Sequence, residues 1–305
     1  MYSVSEDVKK NVYETFERNE QMVEDDVHII KTWMKTQPHL PELMEDVKNK
    51  NFLNLNKFSI EKTKEKIDMY YTIRSVIPEL FELCNPKLKI TDNLFNNTYL
   101  FTFLKQLNGA HRVYFSKQKK ENSVNLLEMY NVWFSIFEIR LQEDFMVNDY
   151  IIVDLDNYSL GDMKRMNPAV VSKFLAIYKK VYALRLEKIV LLNCPSYVSI
   201  LSALMKAVMK PKLLERIEFH KDAEVFKKII CKEELPKENG GEGPSLEEYN
   251  GRNFYKKCKI YADASAMMQT KLSQYQDRFD QLDKLRVNEN LRPQKLDNDE
   301  ILGFF

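Results

Sequence analysis

Apolar residues recur along the first part of the chain at three-to-four spacing. Val27, Ile30 and Met34 form one set, and Ile67, Tyr70, Tyr71 and Ile73 form a second. That period places each set on one face of a helix, so residues 24–83 read as a small all-helical unit. The segment QPHLP (residues 37–41) interrupts it, because proline and the residue before it resist the helical region. Ser59 is placed to cap the next helix, and Pro78 is expected to end or kink it.

The period then changes. YLFTFL (99–104), HRVYF (111–115), YIIVDL (150–155), KIVLLN (188–193) and RIEFH (216–220) are short β-branched or aromatic runs bounded by polar turns, the pattern of strands. VNLLEMYNVWFSIFEIRL (124–141) is apolar on nearly every side and too long for a strand, so it is expected to be a buried helix. Asn167 and Pro168 supply a cap and a first-turn proline, after which Val170, Val171, Phe174, Ile177, Tyr178 and Val181 line one face. A further amphipathic helix follows KIVLLN. Val198, Leu201, Leu204, Met205, Val208 and Met209 form its stripe, with Ser199, Ser202 and Lys206 off it. Strands alternating with helices predict an α/β layer with a partly parallel sheet. In the turn-rich loop LPKENGGEGP (235–244), Gly240 and Gly241 are expected to take positive φ. Beyond Tyr255 the chain reads as mostly polar helix, with Tyr275, Phe279, Leu282 and Leu285 as a weak docking stripe.

Composition narrows the chemistry. The 305 residues carry a net charge of +1, a balance that argues against a dedicated nucleic-acid binder. Seven glycines, none clustered after a strand, leave no phosphate-cradling or dinucleotide loop. His28, His39, His111 and His220 lack metal-ligand spacing, and Cys84, Cys194, Cys231 and Cys258 form neither a CxxC pair nor a disulfide framework. No metal or cofactor is expected. There is no GxSxG elbow. Asp154 and Asp156 flank Leu155 at a strand end, where catalytic carboxylates occur, but two turn residues look the same, and an enzyme is not expected. The N-terminal residues lack a signal-peptide apolar region. The longest uncharged run, 189–205, falls short of the roughly 20 apolar residues of a membrane span. A soluble, reduced, cytoplasmic protein is the expectation.

Two features stay open at this level. The three apolar helices pack either as one ordinary core, which spacing alone favours, or around a ligand cavity. Residues 206–232 carry eight basic against four acidic side chains, a bias that suits an anionic membrane surface or is plain solvated charge.

The order of these pieces resembles the CRAL-TRIO lipid-binding family, in the branch typified by the α-tocopherol and retinaldehyde carriers and numerous in insects. WMKTQPHLP (33–41) and FLNLNKFSIEKTKEKIDMYYTIRSVIPELF (52–81) look like that family's N-terminal helical module. YIIVDLDN, NPAVV, KIVLLNCP, KLLERIEFH and LPKENGG then follow in the family's order, so the resemblance covers roughly residues 25–250. It implies a helical domain at 1–95, a CRAL-TRIO lipid-binding domain at 96–254 and a helical tail at 255–305. In the second domain a mixed sheet floor covered by helices would enclose an apolar pocket, with a mobile gate helix at 195–209.

Carried over by position, the family's pocket-lining places fall on Ser135, Val153, Phe174, Ile177, Tyr182, Ile189, Val198, Leu201 and Met205. Apolar walls with the hydroxyls of Ser135 and Tyr182 suit a hydrocarbon ligand with one polar end, such as a prenyl chromanol, a retinoid or a sterol. The family's phosphoinositide-binding basic patch falls on Arg185, Lys212 and Arg216, with Lys206 beside it for contact with anionic membranes. A fourth basic position is Asn54 here, which removes one charge-assisted phosphate contact. The family's EYGG loop is altered to Glu238-Asn239-Gly240-Gly241. The implied function is an intracellular, peripherally membrane-associated carrier that moves one small hydrophobic lipid between membranes. The alternative is a phospholipid- or phosphoinositide-exchanging, or adaptor-type, module of the same fold. No nucleic-acid partner is implied.

Overall fold

The computed structural model of the chain describes residues 6–37, 40, 44–76, 89–103, 107, 111–120 and 126–250. His39, Pro78, Cys84, Cys258 and the expected helical tail lie outside the described residues. Four helices come first: α1 (Glu6–Thr15), α2 (Glu20–Lys35), α3 (Asp46–Leu55) and α4 (Ile60–Val76). Asn19 caps α2 by accepting the Met22 N–H, and the helix buries Val23, Val27, Ile30 and Met34 as their spacing requires. α3 departs from this pattern, because it buries Asn49, Asn51 and Asn54 beside Phe52 and Leu53. The reason is tertiary. Asn51 donates through Nδ2 to the Leu141 carbonyl at 2.9 Å, and Asn54 to the Met146 carbonyl at 2.8 Å. Those carbonyls lie at and just beyond the end of a later helix, where backbone acceptors lack intrahelical partners.

After α5 (Lys89–Asn97) the chain builds a five-stranded sheet in the order β1 (Thr98–Thr102), β2 (His111–Gln118), β3 (Asn148–Asp154), β4 (Leu186–Leu192) and β5 (Ile217–Phe219). β1 pairs antiparallel with β2, and every later pair is parallel. α6 (Leu126–Glu143) crosses from β2 to β3. α7 (Leu160–Arg165), α8 (Pro168–Ala176) and a π-helical segment (Ile177–Val181) connect β3 to β4. α9 (Ser199–Val208) and α10 (Pro211–Leu214) connect β4 to β5, and the short helices α11 (Phe226–Ile229) and α12 (Leu246–Tyr249) follow. Asn167 caps α8 by accepting the Ala169 N–H, with Pro168 in the first turn. Among the described residues, no helix is long and apolar enough to cross a membrane.

Strand alternation gives the sheet two unlike faces. On the outer face Phe101, Val113, Phe115, Ile152, Val190 and Leu192 pack against Phe226, Leu235, Leu246 and Tyr249. The Phe101 ring stacks on Tyr249 at 4.7 Å, and Phe115 on Phe226 at 5.3 Å. The loop before α12 meets this layer closely. Gly240 has φ 83°, as expected, but Gly241 is required for another reason: a Cβ there would lie 1.9 Å from the Leu235 carbonyl oxygen.

The inner face lies under α6, α8 and α9. α6 is tied down at its C-terminal end by two buried ion pairs. Arg112 of β2 grips Asp144 with both Nε and Nη2, at 2.8 and 2.6 Å, and Arg140 of α6 meets Asp149 of β3 at 2.8 Å. Burial pushes the Asp144 carboxyl up, but the adjacent Arg112 outweighs it and holds the group below the usual carboxylate range. Removing that carboxylate, as in Asp144→Ala, is expected to cost about 3–5 kcal/mol in urea unfolding at neutral pH. Because the folded-state value is depressed, the contribution is complete above the unfolded value of about 4 and is lost as pH falls through the folded one. The stability gap between the two proteins should therefore narrow in acid.

Candidate binding hollow and basic cleft

The central strands are not buried equally on their two sides. On the outer face, Ile152 and Val190 are 0% exposed. On the inner face, Ile151, Val153 and Ile189 remain half-buried, although they sit mid-strand in the middle of the sheet. Ile217 of β5 continues this floor and is also half-buried. Opposite them lie Val170 and Phe174 of α8 and Val198 and Met205 at α9, each half-buried too. Close-packed interiors leave few gaps of water size. Partly accessible apolar side chains on both layers make the space between sheet and helices the candidate ligand site. Phe174 is held from behind, stacked on Tyr130 at 4.0 Å and on Phe134 at 5.4 Å.

The residues expected to line a pocket divide accordingly. Val153, Phe174, Ile189, Val198 and Met205 are half-buried, on the strands and helices that face this candidate site. Leu201 is buried where α9 meets Leu155, Tyr158, Met163 and Leu191. Ser135 is buried on α6. Ile177 and Tyr182 are fully buried, and the Tyr182 hydroxyl donates to Glu138 Oε1 at 2.7 Å. One of the two hydroxyls expected to meet a ligand is therefore turned toward α6. Glu138 also accepts the Tyr70 hydroxyl, at 2.6 Å, so Tyr182 is a pillar shared by α4 and α6. The π-helical segment accounts for this, because its wider turn, with the Tyr182 N–H reaching the Ile177 carbonyl, ends the α-helical register of Phe174.

A second feature opens beside the π-helical segment, the start of β4 and the α9–α10 junction. It is a cleft of about 830 Å³ with an apolar floor that includes Leu175, Leu184 and Met209. Its lining holds Lys57, Lys179, Lys180, Arg185, Lys210, Lys212 and Arg216 against one acidic residue, Glu187. Sequence reasoning found Arg185, Lys212 and Arg216, and Lys210 within the basic run 206–232, but missed Lys57, Lys179 and Lys180. The one available signal was Lys179-Lys180, a charged pair set into an otherwise apolar helical stripe. Lys206 is exposed on α9 but does not line the cleft.

The predicted basic residues differ in how free they are. Lys212 is exposed at the rim, whereas Arg216 donates through Nη1 to the Leu186 carbonyl. Arg185 is largely buried at the inner end, over the Phe16 ring at 4.8 Å, and its Nη2 donates to the Met146 carbonyl at 3.3 Å. Its Nε and Nη1 have no partner among the described residues. Burial, reinforced by Arg140, pushes this guanidinium down to about 10, so it stays charged at neutral pH. Asn54, where the family resemblance called for a base, is 1% exposed and serves as an interdomain hydrogen-bond donor. Burial lowers the Lys66 and Lys180 ammonium groups, and neighbouring lysines add to it, Lys179 in both cases.

Asp154 ends β3 and Asp156 lies in the turn after it. Lys117 meets both, at 2.9 and 3.0 Å, and Asp154 Oδ1 accepts the Asp156 N–H and the Asn193 Nδ2. Among the described residues no cluster of His, Cys, Asp and Glu is placed to hold a metal ion.

The hollow has a direct test. In a filled core, enlarging Val153 to Phe costs about 1–3 kcal/mol through overpacking. Here Val153→Phe is expected to leave the urea midpoint nearly unchanged while reducing uptake of any apolar ligand.

Residues 19–91 match the Pinta-like UBA domain family, and residues 96–241 match the CRAL/TRIO domain family. An α-tocopherol transfer protein-like protein of Mus musculus is 22% identical over 252 residues, covering 80% of this chain and 73% of its own. Its Homo sapiens counterpart is 21% identical over 250 residues, with the same coverage. The crystal structure of Sfh5 superposes with a TM-score of 0.49 at 15% identity, covering 86% of this chain and 98% of that one.

Proposed function

Since the chain belongs to the CRAL-TRIO family of lipid-binding proteins, we propose that it is a non-enzymatic carrier of one small hydrophobic lipid between membranes. The observation that carries this reading is the sheet itself, packed solid on one face and left with an accessible apolar floor on the other. Hiding about 300 Å² of ligand surface there would be worth about 7 kcal/mol at 25 cal/mol per Å². That is enough to hold a lipid in water and small enough to be reversed at a bilayer. Apolar walls favour a ligand of tocopherol, retinoid or sterol type, and the names of the mouse and human relatives support the first of these.

In this mechanism α9 and the turn before it, residues 195–209, act as a gate. Its apolar stripe closes the hollow in solution and enters the bilayer when open. The basic cleft docks on an anionic leaflet, at about 1 kcal/mol per well-placed lysine. Arg185, Lys212 and the exposed lysines around them would meet phosphoinositide headgroups, with Asn54 contributing no charge. The association is peripheral, from the cytoplasmic side.

Organic extraction of the purified protein followed by mass spectrometry is expected to release one prenyl, retinoid or sterol species near one per chain. An empty protein that also refuses a panel of such lipids would point to an adaptor role instead. Leu201→Asp should abolish transfer between vesicles while the protein stays folded, since a buried carboxylate under the gate opposes closure; unfolding would make the helix fixed core. Lys179→Glu combined with Lys180→Glu should weaken binding to phosphatidylserine vesicles by at least about tenfold at low salt.

A further inference from the structure

We infer that residues 297–305 of this chain occupy the basic cleft in solution and must be displaced before an anionic leaflet can dock there. The masking half of this rests on the docking role given to the cleft above, whereas the contact itself does not.

The lining of the cleft defines the chemistry of its occupant. Lysines elsewhere on the surface pair within the chain, as Lys31 does with Asp46 at 2.7 Å and Lys119 with Glu247 at 2.8 Å. Around the cleft, Lys57, Lys179, Lys210 and Lys212 are exposed and make no ion pair among the described residues. The one acidic lining residue, Glu187, is already engaged by Asn148 Nδ2 at 2.9 Å. Burial first, then Lys179 and Lys210, pushes the Lys180 ammonium down, so positive charge here exceeds its compensation. Beneath the charge the floor is apolar, with Leu184 and Met209 buried and Leu175 half-buried. An occupant that matches both features carries several negative charges directly beside large apolar side chains.

The sequence beyond Asn250 contains a stretch of that composition. Asp297, Asp299 and Glu300 place three carboxylates within four positions, a density found nowhere else in residues 251–305. Ile301, Leu302, Phe304 and Phe305 follow directly, and residues 297–305 hold no base. The segment is also within reach. Asn250 is fixed on the β1 side of the sheet, where its Oδ1 accepts the Leu100 N–H at 2.9 Å and its Nδ2 donates to the Phe95 carbonyl at 3.0 Å. Leu100 lies level with Leu191 of β4, through Ser116 and Val153. Leu186, in the cleft wall, is thus about 14 Å away across three strand spacings and about 17 Å away along the strands. A coil of the 46 residues between Asn250 and Asp297 would span about 37 Å. Tethering on that scale gives the segment a local concentration on the order of 1 mM, so even a weak contact is populated. With the segment in place, the cleft presents a leaflet with carboxylates in front of its lysines.

The test is zero-length crosslinking of the full chain with a water-soluble carbodiimide, which joins a carboxylate to an amine in contact with it. In dilute solution Asp297, Asp299 or Glu300 should be joined to Lys57, Lys179, Lys180, Lys210 or Lys212 within one chain, with the Lys119–Glu247 pair as an internal standard. Vesicles of phosphatidylserine and phosphatidylcholine should cut that yield at least about threefold and leave the standard unchanged. Asp297→Asn combined with Asp299→Asn and Glu300→Gln should bind these vesicles at least about fivefold more tightly at low salt, and the gain should vanish near about 0.5 M salt. Phe304→Ser with Phe305→Ser should lower the crosslink yield at least about threefold, because the apolar floor loses its partner. Joining only to lysines outside the cleft, only between two chains, or not at all would overturn the contact. An unchanged yield in the serine variant would remove its apolar half, and unchanged vesicle binding by the amide variant would overturn the masking. Crosslinks that persist while neither protein binds vesicles would sink the docking role and leave the contact standing.

Discussion

Four parallel strands side by side must be covered on both faces, because neither face of such a sheet can be left to water. Here the two coverings work by different physics. The outer one is contact: aromatic rings from β1, β2, α11 and α12 interlock until Ile152 and Val190 have no exposure left. The inner one is suspension. α6 is pinned at its end by Arg112–Asp144 and Arg140–Asp149, and the π-helical segment by Tyr178 to Asp149 and Tyr182 to Glu138. Helices held by directional bonds at their rims need not collapse onto the middle of the sheet. The half-buried floor of Ile151, Val153 and Ile189 is the consequence.

The same anchors organise the charge. A chain with a net charge of +1 has no overall field to steer it, so any attraction for an anionic surface has to come from local segregation. The π-helical segment supplies it. Its inward residue, Tyr178, is fixed to Asp149, which leaves Lys179 exposed and Lys180 in the cleft beside Lys210, Lys212 and Lys57. Arg185 lies deeper, charged and with two donors unpaired among the described residues, between the helical unit and the sheet. One local irregularity of the backbone thus positions a structural tyrosine and a basic surface together.

Polar side chains join the N-terminal helical unit to the rest where a hydrophobic interface would be the simpler solution. Asn51 and Asn54 take up backbone carbonyls around the end of α6, and Tyr70 shares Glu138 with Tyr182. Buried polar groups of this kind are costly unless satisfied, so they fix one relative placement of the two units more sharply than apolar contact does. The position where family resemblance called for a base is consumed by this joint, and charge on the membrane side is supplied from elsewhere.

Periodicity and turn chemistry by themselves determined the elements: the face of α2, the Asn167–Pro168 start of α8, the strands and the alternation that makes the sheet parallel. Each of these depends on residues within a turn or two of one another, and local sterics settle them. Val153, Phe174, Ile189 and Met205 were named as candidate walls by family resemblance, once the order of elements was recognised. What the tertiary structure alone decided depends on residues far apart in the chain. Spacing could not tell a packed core from a hollow, because the difference lies in how far α8 and α9 stand from the sheet. Nor could it show that the Tyr182 hydroxyl serves Glu138, that Asn54 reaches Met146, or that Lys57 joins Lys179 and Lys210 around one cleft. Partners such as these are brought within bonding distance only by folding, and short-range pattern carries no record of them.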